Sequence, residues 1–126
     1  MLNPTAAILI IGDEILSVRT LESNMHYLSR ELKKNGIDLQ EARFIPDNAA
    51  KIIDDVRCLS SKYDYVFTSG GIGPTHDDIT ADCIAAAFET EISIREDAFN
   101  LLENYYSEQN IDFHIARQRM ARIPNG

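Results

Sequence analysis

A three-layer α/β/α domain on a mostly parallel sheet is the fold that this sequence predicts. Three observations lead there. Short apolar runs, the first rich in isoleucine, alternate with longer segments of helical periodicity. The runs end on turn-forming residues before a helical segment opens. One of those ends carries three glycines within four positions, Gly70, Gly71 and Gly73. Strands spaced by helices of this length imply right-handed crossovers, hence parallel strands with helices on both faces.

The first strand spans Thr5 to Ile11, a continuous apolar run in which Ile8, Ile10 and Ile11 favour burial on both sides. Gly12-Asp13-Glu14 ends it. Leu21 to Asn35 places Leu21, Met25, Leu28 and Leu32 at helical spacing, and Asn35-Gly36 stops that helix. Ile37 to Ile45 reads as the second strand. Pro46-Asp47-Asn48 turns the chain, and Asp47 and Asn48 compete to cap the next helix, Ala49 to Lys62. That helix sets Ile52, Ile53, Val56 and Leu59 on one side. Tyr63 to Ser69 is the third strand, followed by the glycine turn and a helix from Ala81 to Phe88. Glu91 to Ile94 is a short extended piece. Arg95 to Gln109 is helical through Phe99, Leu102 and Tyr106. Phe113 to Ile123 reads as helical or irregular.

Composition bounds the functions open to such a domain. The length of 126 residues suits one domain with its own core. A formal net charge of −8 repels nucleic acid and anionic membranes, so neither is an expected partner. Cys58 and Cys83 lack metal-ligand spacing and read as reduced thiols in or near the core. No run spans a bilayer, and Met1-Leu-Asn-Pro lacks the basic start of a signal peptide, which makes the cytoplasm the expected compartment.

Ligands of parallel sheets sit beyond the carboxyl ends of the strands. Three loops fall there: Gly12 to Arg19, Pro46 to Asn48 and Gly70 to Asp78. In the third, glycines let backbone N–H groups approach a ligand, and the following helix adds a positive dipole end. The spacing is neither a dinucleotide fingerprint nor a phosphate-binding loop ending in Gly-Lys-Ser/Thr. Asp77 and Asp78 beside three glycines would repel a phosphate unless a cation or a donor-rich group intervenes. A pterin ring is such a group; magnesium is the other solution. Either aspartate could instead cap the next helix. Asp47 carries a second reading as a metal or substrate partner at the same edge. Asp13 and Glu14 complete an acidic rim, although such a pair after a strand also suits a solvated turn. His76 could contact phosphate or move a proton, or could be a surface residue without a role.

Thr68 to Thr80, reading Thr-Ser-Gly-Gly-Ile-Gly-Pro-Thr-His-Asp-Asp-Ile-Thr, resembles the signature of the molybdopterin-binding superfamily. That superfamily includes molybdopterin adenylyltransferases and the N-terminal domains of competence/damage-inducible proteins and of eukaryotic FAD synthase. Ala7 to Leu16, Thr20 to Leu32 with Asn24, Pro46-Asp47, and Met120 to Gly126 resemble further family segments in order and spacing. Within the family, Gly-Ile-Gly-Pro-Thr-His-Asp-Asp is most similar to the competence-protein and FAD-synthase branch; the adenylyltransferases usually carry threonine where this chain has Ile72.

The resemblance implies a single molybdopterin-binding-like domain over residues 1–126, cut short at its C-terminal end because the family pattern continues past Pro124-Asn125-Gly126. It implies binding of molybdopterin or a nucleotide, an association with molybdenum cofactor biosynthesis, and a homo-oligomer. The alternative it implies is a divalent-metal-dependent pyrophosphatase acting on ADP-ribose or FAD, or a related nucleotidyltransferase. Asp47 and Asp78 fall on the functional aspartates, either catalytic or holding magnesium. Gly12, Asp13, Glu14, Ser69, Gly70, Gly71, Gly73, Thr75, Asp77 and Thr80 fall on the ligand loops.

Overall fold

The computed structural model describes residues 2–12 and 18–126, with backbone alone over 18–22. At its centre lies β1 (Thr5–Ile11), flanked by β2 (Asp38–Ile45) and β3 (Tyr65–Ser69) in the order β2-β1-β3. Both pairings are parallel, with Ile11 opposite Ile45 and Ile10 opposite Ser69. A register shift between Ala6 and Ala7 gives β2 one extra residue against β1. The central strand is apolar because it is covered twice: Ala6 to Ile11 are each at most 6% exposed.

The helices are α1 (Val18–Lys34), α2 (Ala49–Lys62), α3 (Thr80–Ala87), α4 (Glu96–Glu108) and the short α5 (Ile115–Gln118). Alternate β1 residues Ala7, Leu9 and Ile11 pack with Ile45, with Ile52, Val56 and Leu59 of α2, and with Cys83 and Ala87 of α3. The opposite set, Ala6, Ile8 and Ile10, faces the α1 side, where Leu32 is buried. Fully burying a side chain such as Leu9, Ile52 or Leu59 contributes roughly 1.5–3 kcal/mol, so this double-sided core holds the strand ends in place.

Asn48 caps α2, its side chain accepting from the Lys51 N–H at 3.0 Å. The third strand starts later than its sequence suggests. The Tyr63 N–H still closes α2 on the Leu59 carbonyl, and Asp64 turns its carboxylate to the Thr5 N–H at 2.8 Å. At the other end of β3, Asp78 does not cap α3; the residue at that position is Ile79, without a side-chain cap.

The C-terminal stretch corrects its sequence reading. After α5 and a 3₁₀ turn (Arg119–Ala121), Arg122–Pro124 form β5, which pairs antiparallel with β4 (Ile92–Ile94). Three residues are too few to show strand alternation, and the backbone pairing came from a distant segment. Arg122 anchors this strand pair to α3 through Asp82, at 2.7 and 3.4 Å. Phe113 packs against two rings of α4, tilted against Phe99 and stacked on Tyr106, with ring centroids 5.1 and 5.4 Å apart. Cys83 is buried as expected, but Cys58 is exposed on α2. Among the described residues no helix is long and apolar enough to cross a membrane.

Candidate functional site

All three strands point the same way, so their carboxyl ends share one rim. There the Gly12 N–H donates to the Ile45 carbonyl at 3.0 Å, tying the end of β1 to the end of β2. Gly70 follows β3 with φ +97°, and a Cβ there would collide with the Ile11 carbonyl oxygen. Only a glycine lets the third loop lie this close to the first strand. Gly71, at φ +69°, sits over Thr80: a Cβ would strike the Thr80 hydroxyl and lie 3.6 Å from Asp47 Oδ1. A Cβ on Gly73 would lie 2.7 Å from Asp78 Oδ2. The glycine turn therefore has Asp47 of the second loop on its Gly71 side and Asp78 on its Gly73 side.

Two residues fix that turn. Thr80 is 1% exposed; its hydroxyl donates to the Gly70 carbonyl at 2.8 Å and its N–H to the Gly71 carbonyl at 3.1 Å. It supports the turn from beneath, with its hydroxyl proton committed to the Gly70 carbonyl. Asp78 Oδ2 accepts from the Thr75 hydroxyl at 2.8 Å and the Thr75 N–H at 3.0 Å. Partial burial pushes the Asp78 carboxyl up. Hydrogen bonds from the Thr75 hydroxyl, Thr75 N–H and Gly73 N–H, with the positive charge of Arg119, outweigh that and hold it below its usual value. Asp78 is thus an anion at neutral pH.

The other expected site residues divide. Ser69 ends β3 beside Ile10 and accepts from the Asn24 side chain of α1 at 3.4 Å, which brings α1 to the same rim. Thr75 is exposed and closes the loop on Asp78. Asp77 points to solvent, its side chain 84% exposed and 3.3 Å from His76 Nε2. Asp13 and Glu14 lie outside the described residues. Among the described residues, no group of three or more histidine, cysteine, aspartate or glutamate side chains gathers as a metal cage. Two carboxylates on one rim still suit magnesium, which takes one or two protein carboxylates and completes its shell with water and phosphate oxygens. Cys83 offers no nucleophile, because burial, then the neighbouring Asp82, push its thiol up.

Beside the turn lies a cavity of about 480 Å³, a size suited to a small molecule. Gly71, Gly73 and Asp78 line one side; Arg119, Arg122 and Pro124 line another. Sequence reasoning missed the arginines. Arg119 lies just before the Met120–Gly126 family segment and Arg122 within it, but that resemblance assigned neither a role, and only the β4–β5 pairing carries them to the glycine turn.

Relatives share this arrangement of chain. Residues 7–123 match the family described as "Probable molybdopterin binding domain". The chain is 44% identical to a "Probable FAD synthase" of Caenorhabditis elegans over 95% of its length, which is 26% of that relative. It is 33% identical to a CinA-like protein of Citrifermentans bemidjiense over 95% of its length and 29% of the relative. It therefore spans between a quarter and a third of the length of these two proteins. The crystal structure of CinA, a protein of unknown function from Thermoplasma acidophilum, superposes with a TM-score of 0.80 at 30% identity, covering 97% of this chain and 71% of that one. MoaB, a tungsten cofactor synthesizing protein of Pyrococcus furiosus, shares the fold with a TM-score of 0.60 at 22% identity, over 84% and 64% of the two chains.

Proposed function

This chain belongs to the molybdopterin-binding-domain family, and within it we propose a domain that holds a pterin or nucleotide-like ligand against the carboxyl rim of its sheet, in molybdenum cofactor biosynthesis. One observation carries the reading: the glycine turn is packed on the end of β1 with Asp78 bonded into it, and Asp47 lies on the Gly71 side, 3.6 Å from where a Cβ would stand. The Asp47 turn and the glycine loop, far apart in sequence, come to the same rim as the end of β1, and none of the core packing requires two carboxylates there. A pterin presents amino and amide donors, which carboxylates accept; a nucleotide presents phosphates, which backbone N–H groups, an arginine or a bridging magnesium accept. Calorimetric titration of the folded chain with molybdopterin, ATP, ADP-ribose and FAD is the test. Saturable binding of at least one is expected, and no binding to any would remove the proposal.

A second reading has its own support in the ionised state of Asp78. An anionic carboxylate on the same rim as Asp47 can help hold magnesium on a pyrophosphate, and a metal held there would polarise the phosphoryl oxygen. This reading also draws on the similarity to FAD synthases. It predicts release of AMP from ADP-ribose, or of AMP and FMN from FAD, only with a divalent cation present. Binding without turnover under those conditions would leave the first reading alone.

A further inference from the structure

Arg119 differs from Arg122, the other arginine that lines the cavity. Arg122, in the same cavity, already has a carboxylate: Asp82 accepts from it at 2.7 and 3.4 Å. Arg119 also lines the cavity, half-buried, but its Nε is buried and has no hydrogen-bond partner among the described residues. A buried guanidinium N–H without an acceptor is costly, and this one belongs to a side chain that lines the cavity. Asp78 is near enough to feel its charge, yet the Asp78 oxygen facing the loop is occupied by Thr75. The cavity thus brings together glycine backbone, a carboxylate with one oxygen held by its own loop, and an arginine whose Nε is without an acceptor among the described residues.

From this we propose that Arg119 takes up a phosphate or pyrophosphate oxygen of the ligand in the cavity between Gly73 and Pro124. The proposal rests on the reading of the rim as a ligand site and adds the chemical class that the site selects. In a chain of net charge −8, an anionic group beside Asp78 needs a local cation, and Arg119 supplies it. A planar guanidinium can donate two parallel N–H groups to a phosphate, which fixes orientation as well as adding attraction. A pterin or nucleoside lacking phosphate would gain nothing from it.

The test compares wild type, Arg119→Met and Arg119→Lys for binding of ADP-ribose, inorganic pyrophosphate and adenosine by calorimetry. Arg119→Met should weaken ADP-ribose and pyrophosphate at least tenfold and leave adenosine within twofold of wild type. Arg119→Lys, which keeps the charge but loses the fork, should recover part of the loss. Should the methionine variant fail to fold, the lysine variant decides: at least a threefold weakening toward ADP-ribose is expected, with adenosine unchanged. Wild-type affinity of the folded variants for ADP-ribose and pyrophosphate would overturn the role of Arg119 while leaving the rim as a ligand site. A wild-type chain that binds none of the probes, nor molybdopterin, would overturn both.

Discussion

Thr75 donates twice to Asp78, from its hydroxyl at 2.8 Å and from its backbone N–H at 3.0 Å, so one carboxylate oxygen closes the whole Gly73-to-Asp78 loop. The arrangement holds Asp78 ionised and fixes its position at the rim. Its consequences are measurable in both stability and binding.

Asp78→Ala should cost about 1–2 kcal/mol at neutral pH, from the lost hydrogen bonds to a charged acceptor. The folded-state pKa of Asp78 lies below its unfolded value. Its contribution is therefore present above the usual carboxylate range and lost as pH falls through the lower, folded value. Urea melts of wild type and variant across pH 7 to 2 should show the gap closing on the acid side. A gap that widened with acid would contradict the loop geometry.

Gly70→Ala should destabilise the fold by more than the about 1–2 kcal/mol of a left-handed backbone alone, because the new Cβ also meets the Ile11 carbonyl. Gly36→Ala makes the control. Its φ is +73°, but a Cβ there meets nothing within 4 Å, so only the backbone cost applies. Thermal melts of the two variants should rank Gly70→Ala clearly the worse.

Much of this was legible in the sequence, and the reasons are local. Thr5–Ile11 reads as a doubly covered strand because six successive residues are apolar. Asn35-Gly36 ends α1 as expected, with Gly36 in the left-handed region. The three rim loops follow from strand ends alone. Three features were not legible. Asn48 and not Asp47 caps α2, a choice between neighbours that sequence leaves open. Thr80 turns its hydroxyl to the Gly70 carbonyl, ten residues back, and this needs the turn's three-dimensional path. Arg119 reaches the site only because Arg122–Pro124 pair with Ile92–Ile94, a contact between segments about thirty residues apart.

Glu41 gives a second acid-sensitive cluster, remote from the rim. The Tyr63 hydroxyl donates to it at 2.6 Å, with Arg43 at 2.6 Å and Lys62 at 3.2 Å. Those three partners, Tyr63 first, lower its pKa from 4.5 to about 2. The stabilisation is complete above the unfolded value and disappears as pH falls toward 2. Glu41→Gln should therefore be less stable than wild type at pH 7 and equal to it near pH 2, with added salt at pH 7 narrowing the difference. Chemical denaturation at the two pH values checks this.

Ile52→Ala should cost about 2–5 kcal/mol, the range for truncating a fully buried aliphatic side chain. Ile52 is 0% exposed and packs in the cluster that joins α2 to β1. Equilibrium denaturation measures the loss. A value below about 1 kcal/mol would mean that α2 does not clamp the central strand as described.

The central claim is that separate loops form one ligand site, and backbone amide NMR during an ADP-ribose titration with magnesium tests it most directly. Gly12, Asp47, Gly71, Gly73 and Asp78 should shift together and fit one dissociation constant, while the Thr5 end of the sheet stays still. Shifts confined to the opposite end, or different constants for the Asp47 and Asp78 loops, would contradict it.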